Sequence, residues 1–196
     1  MRGRLIRALG CFANPNEEFI FEGVKQLYLI RHCETRELAG EEPAPPRNDS
    51  PLSANGLQTA ERLAIYLRSM PIDLILTSLF RRSQETAVVL NHERRVPVFS
   101  GMALNEYFLR DDYSGVESTE QGLVRSMGYL NQFRPYFEYI AVVGHNSILS
   151  TMLMSLLNML FEMAKESFNH AGQCRIFRYD WTEGDQNWRD AGSFVP

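Results

Sequence analysis

Short apolar runs alternate along the chain with longer stretches in which apolar residues are spaced out. Leu27 to Ile30 is an unbroken apolar run of strand length, followed at once by Arg31 and His32. Beyond a loop at 39–53, "AGEEPAPPRNDSPLS", Ser53 stands where a helix cap is expected, and apolar residues recur at Leu57, Ala60, Ala64 and Leu67. The four prolines of that loop stiffen a polar segment and exclude regular structure. "IDLILTS" (72–78) reads as a second strand, "RRSQETAVVLNH" (81–92) as a helix and "VPVFS" (96–100) as a brief strand. Residues 117–137 form a further helical region, with Pro135 near its end, and "YIAVVGH" (139–145) is an apolar strand closed by glycine and histidine. A helix starts at Asn146, and Ile148 to Phe161 reads as one buried helix, too short and too interrupted by Ser150, Thr151, Ser155 and Asn158 to span a bilayer. "CRIFRYDW" (174–181) and "NWRDAGSF" (187–194), joined by "TEGDQ", predict a terminal hairpin.

Alternation of strand and helix predicts an α/β fold, a three-layer sandwich with a mostly parallel central sheet flanked by helices. A length of 196 residues suits one domain, taken as 25–196, preceded by an N-terminal extension, 1–24. The first sixteen residues hold Arg2, Arg4 and Arg7 and no acid, a weak likeness to a transit peptide for which a surface helix is the plainer expectation. Net charge is −4, so no overall basic field draws the chain to nucleic acid or an anionic membrane, and attraction for an anion has to be local. Cys11, Cys33 and Cys174 lie far apart; an odd, sparse count argues against a disulfide framework and points to a reducing, cytoplasmic setting.

In open α/β sheets ligands collect beyond the carboxyl ends of the strands. There the order of elements places His32 after the first strand, Ser78, Arg81 and Arg82 after the second, Glu106 past the third and His145 at the end of the fourth. Arginine forks match phosphate oxygens, a neutral imidazole held at one nitrogen is a nucleophile at the other, and a carboxylate can protonate a leaving oxygen. This is an inventory for phosphoryl transfer without a metal.

These residues resemble the histidine phosphatase superfamily, also called phosphoglycerate-mutase-like. Its signature Arg-His-Gly-Glu-Thr/Ser is matched by Arg31-His32-Cys33-Glu34-Thr35. Its serine, arginine four residues on, then Thr-Ala, is matched by Ser78, Arg82, Thr86 and Ala87. "DSPLSANGLQTA" (49–60), Glu106 in "LNE" and His145 in "AVVGHNSI" complete the likeness, which covers about residues 25–180 in consistent order. The resemblance implies that His32 becomes phosphohistidine, that Arg31, Arg82 and His145 hold the phosphoryl oxygens, and that Glu106 is the general acid and base. It implies no cofactor and no metal. Arg81 is off the matching position and is expected in solvent. Cys33 stands where the family has glycine, and the asparagine that many members carry after the first motif has only the distant Asn48 as a counterpart.

Other carboxylates compete with Glu106, namely Glu34, Glu117 and Glu120. His92, His170 and the arginines at 94–95 are expected on the surface. No cysteine has an arginine six positions downstream, so the thiol phosphatase loop is missing. Two alternatives come from other classes: a metal enzyme using both histidines and a carboxylate, which the fixed cation of Arg31 disfavours, and a phosphate-binding protein without turnover. Only 38 residues separate Glu106 from His145, fewer than the insertions of the family's mutases, so an open site and hydrolysis are expected. The expected partner is a phosphorylated small molecule or phosphoprotein, not nucleic acid or membrane. Substrate and oligomeric state leave no mark in the motifs.

Overall fold

The computed structural model describes residues 24–43, 49–106, 117–158, 160–182 and 185–196. Residues 1–23 of the N-terminal extension with Cys11, the centre of the proline-rich loop with Asn48, and residues 107–116, part of the short stretch between Glu106 and His145, lie outside the described residues. In chain order the elements are β1 (Gln26–Arg31), α1 (Ala54–Leu67), β2 (Leu74–Thr77), α2 (Arg81–Asn91), β3 (Val98–Ser100), α3 (Thr119–Phe133), β4 (Tyr139–Gly144), α4 (Asn146–Leu157), α5 (Phe161–Glu166), β5 (Cys174–Thr182) and β6 (Asp185–Phe194).

One six-stranded sheet runs in the order β3-β2-β4-β1-β5-β6. The first four strands in that order are mutually parallel, and the terminal hairpin is antiparallel. β1 and β4 are central and covered on both faces, which is why each reads as an unbroken apolar run. Alternate residues of β1 serve opposite faces. Leu27 and Leu29 enter a core with Met127 and Leu130 of α3 and Ile148 and Met152 of α4. Tyr28 and Ile30 enter a second core with Leu63 and Leu67 of α1 and Ala87 and Leu90 of α2. Two helical layers thus sandwich the sheet, and the parallel register sets Thr77 beside Val143 and Gly144 beside Arg31, so β2, β4 and β1 end at one edge.

Three details depart from the pattern read in the sequence. In α1 the buried stripe is Gly56, Thr59, Ala60, Leu63 and Leu67, while Leu57 is 43% exposed. One residue's rotation of about 100° carries Leu57 off the face that the spacing assigned to it. The single buried helix expected over Ile148 to Phe161 ends at Leu157, where Asn158 takes a left-handed conformation (φ 48°) that asparagine tolerates better than most residues, and α5 restarts at Phe161. Arg94 is not a solvated surface charge: its guanidinium donates to the carbonyls of Leu67 and Met70, closing the end of α1. Among the described residues no helix is long and apolar enough to cross a membrane.

Candidate active site

The loop after β1 is clamped from both sides. The His32 amide donates to Gly144 O at the end of β4 (2.9 Å), and His32 O accepts from the Gly172 amide (2.9 Å). Arg31 NH1 donates to the carbonyls of Phe168 and Asn169 at 2.7 Å each, tying the approach to β5 to the same loop. The His32 ring is buried, with Nδ1 2.8 Å from Cys33 O and Nε2 3.1 Å from Nε of Arg82. A guanidinium only donates, so Nε2 is the acceptor and the ring proton sits on Nδ1, facing the Cys33 carbonyl. The nitrogen that faces the cation is the one with a free electron pair.

Arg82 reaches this place from the first turn of α2. That is the wrong end of a helix for a cation, because the helix dipole is positive there. Arg82 is nevertheless 5% exposed, with the charges of Glu106, Asp49 and Glu37 opposing the cost of its burial. Its neighbour Arg81 points outward, as expected, and pairs with Glu85 (2.7 Å). A cation held buried against the local dipole is costly for folding and suits a site that receives an anion. Thr86 locks α2 to the β1 loop, accepting from the Cys33 amide (3.1 Å) and donating to Arg82 O (2.8 Å).

His145 caps α4 and lies beside His32, with ring centroids 5.1 Å apart. Ser78 Oγ sits 2.8 Å from its Nε2 and Ser83 Oγ 3.4 Å, while Nδ1 is buried without a hydrogen-bond partner among the described residues. Burial lowers the basicity of both imidazoles, and the positive charges of Arg82 and Arg31 lower it further; at His32 the Cys33 carbonyl opposes this in part. Both rings are therefore neutral in the folded chain, whereas in the unfolded chain they titrate near 6.5. Below that value the unfolded state binds more protons, so stability falls with pH, at most by about 1.4 kcal/mol per pH unit for each ring. Urea midpoints should decline between about pH 7 and 5.5, and replacing both His32 and His145 by asparagine should flatten the decline.

Glu106 follows a 3₁₀ turn (Met102–Leu104) after β3. Its Oε2 accepts from the Ser147 amide in the first turn of α4 (3.2 Å), and its charge acts on both Arg31 and Arg82. The competing carboxylates are engaged or placed elsewhere. Glu34 accepts from Ser53 Oγ (2.7 Å) and Asn55 (3.1 Å) at the start of α1, Glu117 forms an ion pair with Arg125, and Glu120 is exposed in the first turn of α3. Arg125 also donates to Met102 O (2.9 Å) and Asn105 O (3.2 Å), pinning the segment that carries Glu106. His92 and His170 are exposed, as expected.

The β1 loop tolerates Cys33 because it asks for no left-handed backbone there; among the described non-glycine residues only Arg95 and Asn158 have positive φ. The thiol is packed with Leu52 and Ala60, and burial pushes it up to about 12, so it stays protonated. Glycine is required instead at position 56, where a Cβ would lie 2.0 Å from the Glu34 carbonyl oxygen. Gly56→Ala should lower stability by about 2 kcal/mol or more and impair whatever the loop does, a pairing that unfolding midpoints and phosphate affinity measure together.

The structure brings His32, Arg31, Arg82, Glu106 and His145 to one sheet edge, and adds contacts from Phe80, Ser83 and Arg125 that the sequence analysis does not name. The Phe80 ring lies under the Arg82 guanidinium, 4.6 Å from Cζ, and edge-on to His145. Among the described residues no three His, Cys, Asp or Glu side chains are grouped to hold a metal ion.

The chain is similar in sequence and in fold to known proteins. The model of the histidine phosphatase superfamily (branch 1) matches residues 27–121. The adenosylcobalamin/alpha-ribazole phosphatase of Escherichia coli (strain K12) is 28% identical over 169 residues, covering 68% of this chain and 80% of its own. The uncharacterized phosphatase PhoE of Bacillus subtilis (strain 168) is 26% identical over 147 residues, 65% of this chain and 75% of its own. Among solved structures, the mycobacterial glucosyl-3-phosphoglycerate phosphatase complexed with VO3 shares the fold with a TM-score of 0.72 at 19% identity, over 86% of this chain and 98% of that one. Motif order, fold and sequence similarity agree in likening the chain to the histidine phosphatase superfamily.

Proposed function

We propose that the chain is a metal-independent phosphomonoesterase that works through a phosphohistidine on His32. The observation that carries this is the 3.1 Å contact between Arg82 Nε and His32 Nε2, which puts a buried, permanent cation beside the unprotonated nitrogen of a neutral imidazole. A phosphoryl group entering here takes over the Arg82 donor through one oxygen and presents phosphorus to Nε2. Arg31 and the Nδ1 side of His145 supply further donors to the oxygens that gather charge in the transition state. The N–P bond forms as the P–O bond to the leaving group breaks, and the proton on Nδ1 stays with the Cys33 carbonyl. Glu106, protonated at that moment, gives its proton to the departing oxygen. The resulting carboxylate then takes a proton from water, whose oxygen attacks phosphorus, releases phosphate and restores neutral His32.

Several relatives support hydrolysis by name: they are called phosphatases, and one structural neighbour is titled a putative phosphohistidine phosphatase, SixA from Agrobacterium tumefaciens. The substrate class is accordingly a phosphorylated small molecule or a phosphoprotein. The test is a screen of sugar phosphates, nucleotides, phosphoglycerates and phosphopeptides in excess chelator, with product identity followed as well as phosphate. Release of phosphate undiminished by chelator is expected. Activity that needs added metal would overturn the mechanism, isomerised phosphoglycerate would make the enzyme a mutase, and binding without turnover would leave a phosphate-binding protein.

A further inference from the structure

Arg82 has to meet three demands at once. It must be fixed in place, keep its full charge and keep its N–H edges open to an oxyanion. A carboxylate in direct contact would fix it but would use up the charge and the donors. An aromatic face holds a guanidinium through the ring quadrupole while the N–H groups, which lie in the guanidinium plane, stay available.

Phe80 provides such a face. It is the residue before α2, and its ring centroid lies 4.6 Å from Arg82 Cζ. The same ring packs against His145, with centroids 5.2 Å apart and planes at 82°. Its backbone acts on the same histidine, since the Phe80 amide donates to Ser78 Oγ (3.2 Å), the hydroxyl that contacts His145 Nε2 at 2.8 Å. Phe80 is half-buried and, among the described residues, stands outside the apolar clusters of the core.

We infer that Phe80 is a positioning residue for phosphate, aligning Arg82 and His145 so that both can bind one oxyanion; this rests on the phosphatase reading of the same pocket. The test compares wild type, Phe80→Leu and Phe80→Tyr in three measurements: calorimetric affinity for inorganic phosphate, kcat/KM for p-nitrophenyl phosphate, and urea unfolding midpoint. Phe80→Leu should lose about 10-fold in phosphate affinity and in kcat/KM with an unchanged midpoint, and Phe80→Tyr, which keeps the face, should stay within about 2-fold of wild type. Wild-type values for Phe80→Leu would overturn the inference. So would equal losses in both variants accompanied by a lowered midpoint, which would make the ring ordinary packing. Wild-type protein that binds phosphate without hydrolysing the ester removes the catalytic reading but leaves the calorimetric comparison decisive; wild-type protein that binds no phosphate overturns both.

Discussion

His32→Ala should lower phosphate release from any good substrate by on the order of 10³–10⁵-fold, and label from radioactive substrate should no longer appear on the protein. The expected size follows from what remains. Arg31, Arg82, His145 and Glu106 come from other backbone positions and would still gather and polarise a phosphate ester, but without an atom to attack phosphorus in the space they surround. Inorganic phosphate should therefore still bind. Retention of more than about a tenth of the activity would remove the nucleophile from position 32.

Glu106→Gln should divide substrates by leaving group. Glutamine keeps a carbonyl oxygen for the Ser147 amide, so the segment after β3 has no reason to move. It cannot donate a carboxylic proton. An alkyl phosphate, whose departing oxygen needs that proton, should lose about 10²–10³-fold in kcat/KM. p-Nitrophenyl phosphate, whose phenolate leaves unaided, should stay within about 5-fold, because kcat/KM reports the half-reaction in which the leaving group departs. Equal losses on both would assign the acid to another group.

Much of this architecture was legible in the sequence because its strongest signals are local. β1 and β4 are buried on both faces and appear as unbroken apolar runs, so their ends, and with them His32 and His145, could be located to the residue. The choice of Arg82 over Arg81 came from its spacing to Ser78, and one helical position separates the inward guanidinium from the outward one. Less legible was anything set by contacts between distant segments. Ser83 meets His145 across 62 positions, and Arg125 holds the Glu106 segment from 20 positions away. Neither contact leaves a periodic trace, nor does the Phe80 ring, an aromatic residue in a turn. The stripe of α1 was misjudged at Leu57 because an apolar residue is not obliged to face inward, and the break at Asn158 lies inside a run whose composition continues across it.

Arg31 grips the carbonyls of Phe168 and Asn169, and Gly172 grips His32, far past the end of the family-matched run at residue 121. That run holds the recognisable signature yet only part of the machinery. A trimmed fragment stopping after α4 would keep all five candidate side chains and still leave the loop that bears two of them without its outer buttress. The smallest excisable catalytic unit therefore extends through the closing hairpin, and fusion partners or tags belong beyond it, not in place of it.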